Sequence, residues 1–186
     1  MIAGVVLAGG LSRRMGADKP LQLLRGRSLI SYALDRLHTE ASAVAISANA
    51  DPSRFNRFGA PILQDGLFAG RGPLAGVLAG LEWAVTLGAE ALLTIPADTP
   101  FVPPGIASAL TPPPACATSL GRTHHLVALW PTGAAQILRA FLSSESHYGA
   151  GRFGALIGTR HVVFPAKAEN DPFWNANTQA DLDSMR

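Results

Sequence analysis

Three features of the chain predict an α/β fold: a three-layer, doubly wound and mostly parallel sheet, Rossmann-like in its first half and less regular in its C-terminal half. Apolar, β-branched runs alternate with stretches of helical period across roughly the first hundred residues. Glycine, proline and short polar residues punctuate the joins. Hydrophobic residues make up 48% of the 186, enough to cover both faces of a sheet. Such alternation implies right-handed crossovers, with ligands gathered at the carboxyl ends of the strands.

Each element follows from its local pattern. Residues 2–7 are apolar and β-branched enough for a buried strand. Residues 28–37 carry Leu29, Ile30, Ala33, Leu34 and Leu37 at helical spacing, and 43–48 read as a second buried strand. Residues 61–63 are a short third strand. A long apolar helix is expected over 74–87, begun by Pro73, a favourable first-turn residue, and closed by Gly88. Residues 91–95 then form a central strand. In the second half, 115–120 and 126–130 are expected to pair as antiparallel strands, 134–142 to be helical and 161–164 to be a further strand. No internal repeat is visible, and Pro112-Pro113-Pro114 is a stiff connector rather than a domain linker. The whole of 1–186 therefore reads as one domain.

Composition removes several classes of function. A net charge of +2 with only 15% charged residues is a small basic surplus, so nucleic-acid binding is not implied. Five of the fifteen basic residues, Arg13, Arg14, Lys19, Arg25 and Arg27, nevertheless cluster near one another, which suits a small polyanionic ligand. The lone cysteine, Cys116, excludes an intrachain disulfide and a multi-cysteine metal site, and reads as a small core residue rather than a reactive one. The apolar start lacks a preceding basic region and no later run is long enough to span a membrane, so a cytoplasmic protein with no membrane partner is expected.

Chemistry concentrates after the first strand. Residues 7–19 read Leu-Ala-Gly-Gly-Leu-Ser-Arg-Arg-Met-Gly-Ala-Asp-Lys. Gly9 and Gly10 free the backbone to turn and present amides, and amides beside fixed cations cradle phosphate. The spacing is not a Walker loop: five residues separate Gly10 from Gly16, and Lys19 comes too late. Only two of the fifteen basic residues, Lys19 and Lys167, are lysines, so a lysine inside this loop wants a reason. A compact ammonium approaches phosphate oxygens as a point charge where a guanidinium fork fits less easily. The bland alternative is a strand-to-helix connection with solvated arginines.

Two acidic residues fall where ligands should gather. Pro96-Ala97-Asp98-Thr99-Pro100 stops the strand over 91–95 and leaves Asp98 at its carboxyl end, where it can hold Mg²⁺ against a triphosphate. The alternative makes Asp98 a turn residue capping the helix after Pro103-Pro104. Gln64-Asp65-Gly66 and the stretch 70–76 (Gly-Arg-Gly-Pro-Leu-Ala-Gly) form a flexible loop entering a helix. Asp65 there can accept hydrogen bonds from a base or ribose. Thr178 and Asp181 have the spacing of a helix N-cap box.

The pattern Leu-Ala-Gly-Gly-x-Ser-x-Arg-Met-Gly-x-Asp-Lys resembles the opening loop of nucleotidyltransferases. In its Gly-Gly, Arg-Met-Gly and Asp-Lys form it looks most like that of the molybdenum cofactor guanylyltransferases. Asp65 with Gly-Pro-Leu-Ala-Gly, Asp98 and the closing Asn175-x-Asn177-Thr178 extend the resemblance along nearly the whole chain. It implies a nucleotidyltransferase fold with residues 1–105 as the nucleotide-binding half and 106–186 as the acceptor-binding half. It further implies transfer of GMP from GTP to the terminal phosphate of molybdenum-molybdopterin, with Mg²⁺ as cofactor and molybdenum-enzyme acceptors or their chaperones as further partners. Arg14, Lys19 and Asp98 would then be catalytic, with Asp98 the metal ligand. Leu7, Ala8, Gly9, Gly10, Lys19, Ser47, Asn49, Asp65 and Asp98 would meet the nucleotide. Ser47 stands where relatives often have Asn, so Asn49 is the better contact, although an ordinary turn asparagine explains it nearly as well.

On the acceptor side the resemblance points to His124, Arg152, Asn175 and Asn177. His124 matches the family's His-Pro and His125 replaces the proline, while Gln179 replaces a later proline. With no acidic or cysteine cluster beside them in sequence, His124 and His125 are not read as a transition-metal site. A cytidylyltransferase acting on the same pterin, a sugar-phosphate nucleotidyltransferase and a non-catalytic nucleotide or cofactor-binding protein remain the competing readings.

Overall fold

A computed structural model describes residues 1–9, 19–49, 51–144, 148–176 and 181–182. The chain enters through β1 (Ile2–Leu7), a short 3₁₀ turn (Lys19–Leu21), β2 (Leu23–Leu24), β3 (Arg27–Ser28), α1 (Leu29–Glu40) and β4 (Ala43–Ser47). After a 3₁₀ segment (Pro52–Phe58) come β5 (Ile62–Leu63), another 3₁₀ turn (Gly66–Phe68), α2 (Pro73–Thr86) and β6 (Ala91–Pro96). The second half holds α3 (Ile106–Leu110), β7 (Ala115–Ser119), β8 (Arg122–Pro131), α4 (Ala134–Ser144), α5 (Ala150–Leu156) and β9 (Arg160–Val163).

The seven-stranded sheet has the order β5-β4-β1-β6-β8-β7-β9. Strands β5, β4, β1 and β6 are parallel, β8 runs antiparallel to both β6 and β7, and β9 is parallel to β7. The chain therefore winds from β1 outward to β5 and returns across the sheet to β6. That reversal lies between β1 and β6, and a doubly wound sheet opens a crevice at such a point. Leu7 stands opposite Pro96, so both strands end at the same level, and the Ala97 amide donates to the Leu7 carbonyl at 3.0 Å.

Strand alternation builds the three layers. Ala3 and Val5 face one side with Leu74, Val77, Leu78 and Leu81 of α2, Leu138 of α4 and Phe153 of α5. Val6 faces the other with Ile30, Leu34 and Leu37 of α1 and Ile106 and Leu110 of α3. Burying both faces explains why the strands read as continuous apolar runs. Helix α1 continues past residue 37 to Glu40, whose carboxylate accepts from the Gly105 amide at 2.6 Å and the Ala107 amide at 3.1 Å, satisfying the start of α3.

The β2–β3 hairpin and α5 lie outside what local patterning shows. Arg25 and Gly26 both sit at positive φ, 51° and 78°, the turn geometry that suits a tight hairpin. Helix α5 contains Gly151 and Gly154, poor helix formers. It is held by Phe153, whose ring lies 5.9 Å from Trp130 and 5.5 Å from Phe141. Cys116 is buried, as expected of a core residue, and burial pushes its thiol up to about 11, which removes it as a nucleophile.

Helix α2 approaches β4 and β6 through glycine. A Cβ on Gly76 would lie 2.4 Å from the Ser47 hydroxyl oxygen and 3.3 Å from Leu7 Cδ2. Gly76→Ala should gain up to ~1 kcal/mol in helix propensity against an overpacking cost of ~1–3 kcal/mol. A net loss of stability in urea denaturation is expected, and Ser47→Ala in the same chain should recover most of it. A single variant as stable as the parent would contradict this packing.

Candidate active site

The crevice between the ends of β1 and β6 brings two candidate residues into direct contact. Lys19 Nζ lies 2.6 Å from Asp98 Oδ2 across 79 residues of sequence. The Lys19 and Asp98 side chains are 14% and 23% exposed, so the pair is shielded yet reachable from the crevice. Asp98 caps no helix among the described residues: α3 begins after Gly105, and the Asp98 carbonyl accepts from the Ala176 amide at 3.1 Å. A fixed cation and an acidic oxygen donor thus share the mouth of the switch point. Gly10, Arg14 and Asn177 lie outside the described residues.

The second cluster lies at the end of β4. The Asn49 amide group donates to Asp65 Oδ2, and Asn49 Oδ1 accepts from the Asp65 backbone amide at 2.8 Å. This two-point clasp fixes the carboxylate. Asp65 is 8% exposed, and its Oδ1 has no hydrogen-bond partner among the described residues. Burial raises the Asp65 pKa above the usual carboxylate range, and the Asn49 bond offsets only part of that. A buried acceptor with no donor among the described residues is suited to accept one from a ligand.

The segments around this clasp are fixed from several directions. The Ala8 amide donates to the Ser47 carbonyl at 2.9 Å. A Cβ on Gly9 would approach the Asn49 amide nitrogen at 3.3 Å, so glycine lets β1 pass close to the clasp. Ser47 itself is buried with its hydroxyl toward Gly76, and therefore packs α2 against β4 instead of facing the crevice. Downstream, Gly70 and Gly72 take φ of 85° and 76°, which glycine adopts without strain. Arg71 donates to the Leu142 carbonyl and, at 2.8 Å, to the Tyr148 hydroxyl, tying the loop to the end of α4.

Beyond Asp98 lies a cleft of about 220 Å³ whose walls include Thr99, Arg122, His124, His125, Ala150 and Asn175. Thr99 Oγ1 donates to Asn175 Oδ1 at 3.0 Å, which turns the Asn175 side chain into the cleft beside Asp98. Ser119 Oγ donates to Asp171 Oδ1 at 2.7 Å and lies 2.8 Å from His124 Nε2. A hydroxyl has one proton, so His124 Nε2 must donate to Ser119, leaving Nδ1 as an acceptor. Burial lowers the His124 pKa, which keeps this ring neutral at pH 7.

Arg152 is exposed on α5 and is not among the residues that line this cleft. Among the described residues Arg122 brings a cation to its wall. Sequence reading passed over Arg122 because β8 begins at residue 122 rather than 126, and passed over Asp171 because its link to His124 runs through Ser119.

Paired charges at a switch point, with a cleft of mixed polar and apolar lining alongside, suit a class of protein that handles a phosphorylated ligand and a second substrate. The comparisons make the class specific. The MobA-like NTP transferase domain matches residues 4–160, and the chain belongs to that family. It is 52% identical over 184 residues to a molybdenum cofactor guanylyltransferase of Acidiphilium cryptum, an alignment covering 98% of this chain and 93% of the relative. Its fold is similar to that of a molybdopterin-guanine dinucleotide biosynthesis protein A from Archaeoglobus fulgidus. There the TM-score is 0.74 at 22% identity, covering all of this chain and 96% of that one. A protein of Aquifex aeolicus VF5 aligns with a TM-score of 0.77 at 22% identity over 95% and 94% of the two chains.

Asp65 also generates a test of the fold. A carboxyl whose folded pKa is raised holds its proton longer than in the unfolded chain, so stability falls as pH rises through the unfolded value of about 3.9. Asp65→Asn keeps an oxygen for Asn49 and removes the buried charge. It should be more stable than the parent in urea at pH 7, with the advantage shrinking as pH is lowered toward ~4. A destabilised variant at pH 7 would mean the carboxylate is compensated by a partner in the free protein.

Proposed function

We propose that the chain transfers GMP from GTP to the terminal phosphate of molybdenum-molybdopterin, releasing pyrophosphate. The observation that carries this reading is the buried Asp65 carboxylate, positioned by Asn49 with Oδ1 unpartnered among the described residues. Guanine offers adjacent N1–H and N2–H donors that a carboxylate can accept. Cytosine offers one amino group beside acceptors, which would leave the carboxylate poorly paired. The name carried by the Acidiphilium relative, at 52% identity, supports the same assignment.

The acceptor phosphate oxygen attacks the α-phosphorus of GTP. A new P–O bond forms as the bond to the β-phosphate breaks, and pyrophosphate leaves with the bonding pair. The nucleophile is already anionic, so no general base and no covalent enzyme intermediate are required. The protein's contribution is positioning and charge neutralisation. Lys19, Arg14 and the Gly9 and Gly10 amides hold the β- and γ-phosphates, while Asp65 holds the base. Arg122, Asn175 and neutral His124 receive the pterin side.

Asp98 fits a hard cation, being an oxygen donor at a strand end with a second carboxylate oxygen beyond the one facing Lys19. Mg²⁺ held by Asp98 would supply charge for the departing pyrophosphate. Triphosphate arrival then gives Lys19 an anionic partner in place of Asp98.

The test is pyrophosphate release with molybdenum-molybdopterin and each of GTP, CTP, ATP and UTP. GTP should be preferred, and Asp65→Asn should lose most of that preference; a preference for CTP overturns the guanylyl assignment. Lys19→Ala should reduce turnover by orders of magnitude, since one preorganised charge contact contributes a few kcal/mol. Near-parental turnover would remove Lys19 from the phosphate site.

A further inference from the structure

We infer that Cys116, His125 and His161 form a second site, one for a single transition-metal cation of the Zn²⁺ class, bound by one thiolate and two imidazoles. One ligand atom from each residue lies within 4.8 Å of the others, and the three are buried, half-buried and exposed in that order. Tetrahedral zinc with bonds of ~2.0–2.3 Å sets its donors about 3.3–3.6 Å apart. Closing the gap requires about an ångström of side-chain rotation, and the exposed His161 has room for it.

The sheet creates this grouping. Cys116 and His161 are direct partners in the parallel β7–β9 ladder, so their side chains share a face. The β7–β8 register breaks between Cys116 and Ala117, where the partner jumps from Ala128 to His124. The extra residues of β8 bulge at that point, and a bulge re-aims side chains, here bringing His125 toward Cys116. The His125 and His161 ring centroids are 6.2 Å apart. Gly151 completes the space, since a Cβ there would fall 2.9 Å from His125 Nε2.

One thiolate and two imidazoles suit a borderline-soft ion and not Mg²⁺, which takes oxygen ligands. Binding displaces the thiol proton, and three protein ligands leave a fourth position for water. The chain's own residues then do two things around the ion: they tie edge strand β9 to β8, and they fix His125, a wall of the acceptor cleft. The inference is independent of the guanylyl assignment, because the measurement contains neither nucleotide nor pterin.

The experiment titrates Co²⁺ into the full chain, freed of metal by a chelator, and reads the thiolate-to-cobalt charge-transfer absorption. Zn²⁺ then displaces the cobalt. One equivalent should bind with a thiolate band that Zn²⁺ abolishes. His161→Ala, at an exposed position, should weaken binding at least tenfold, and Cys116→Ser should bind without the band. Circular dichroism checks that both variants remain folded. No thiolate band in the parent, or an unchanged band in His161→Ala, overturns the site.

Discussion

The contact between Lys19 and Asp98 depends on β1 and β6 ending at the same level, and that register is the constraint from which the site follows. Leu7 lies opposite Pro96, and the Ala97 amide closes onto the Leu7 carbonyl. A one-residue slip would turn Val5 and Val6 to the wrong faces and empty both cores, so the register is held by the whole apolar interior. Neither partly buried charge has to be left alone in the crevice. Mutual neutralisation holds them until a ligand offers each a stronger partner.

The same interior packing positions the clasp between Asn49 and Asp65. Gly76 lets α2 descend onto Ser47, which holds the end of β4 and the Asn49 that follows it. Asn49 then aligns Asp65 through two hydrogen bonds, and Arg71 ties the downstream loop to Tyr148. A short serine and an uncommon glycine in mid-helix therefore act on the binding surface from beneath it. Beside the cleft, the C-terminal segment returns to the same place: Ala176 bonds the Asp98 carbonyl, and Asn175 bonds Thr99.

The first half was legible because its periodicities and its chemistry coincide. Residues 2–7, 43–48 and 91–95 are apolar on both faces, as a sheet covered twice requires, and Asp98 and Asn49 stand at strand ends as ligand residues should. The clasp between Asn49 and Asp65 was half legible: both were singled out, but their mutual bonding depends on β4–β5 pairing. The rest was hidden for physical reasons. Glycines in α5 argue against a helix until Phe153 has aromatic partners, so the helix that carries Arg152 is not visible in local patterning. His125 was set aside as a metal ligand because its sequence neighbours offer none. Its companions Cys116 and His161 are brought to it by strand pairing and a bulge, which spacing along the chain does not record.

Asp65 is a buried carboxylate with one oxygen unpartnered among the described residues, an arrangement suited to discrimination by hydrogen-bond demand rather than by shape. A pocket that discriminates by shape alone separates bases of similar size weakly. One that presents an unpaired buried acceptor penalises every base that cannot donate to it, because the desolvation cost then stands uncompensated. Asn49 makes that penalty strict: with both of its amide atoms engaged on Asp65, the carboxylate is held in place against turning toward water. On the proposed reading, base selection at Asp65 depends on the rigidity of β4 and the seating of α2 on Ser47 as much as on the carboxylate itself.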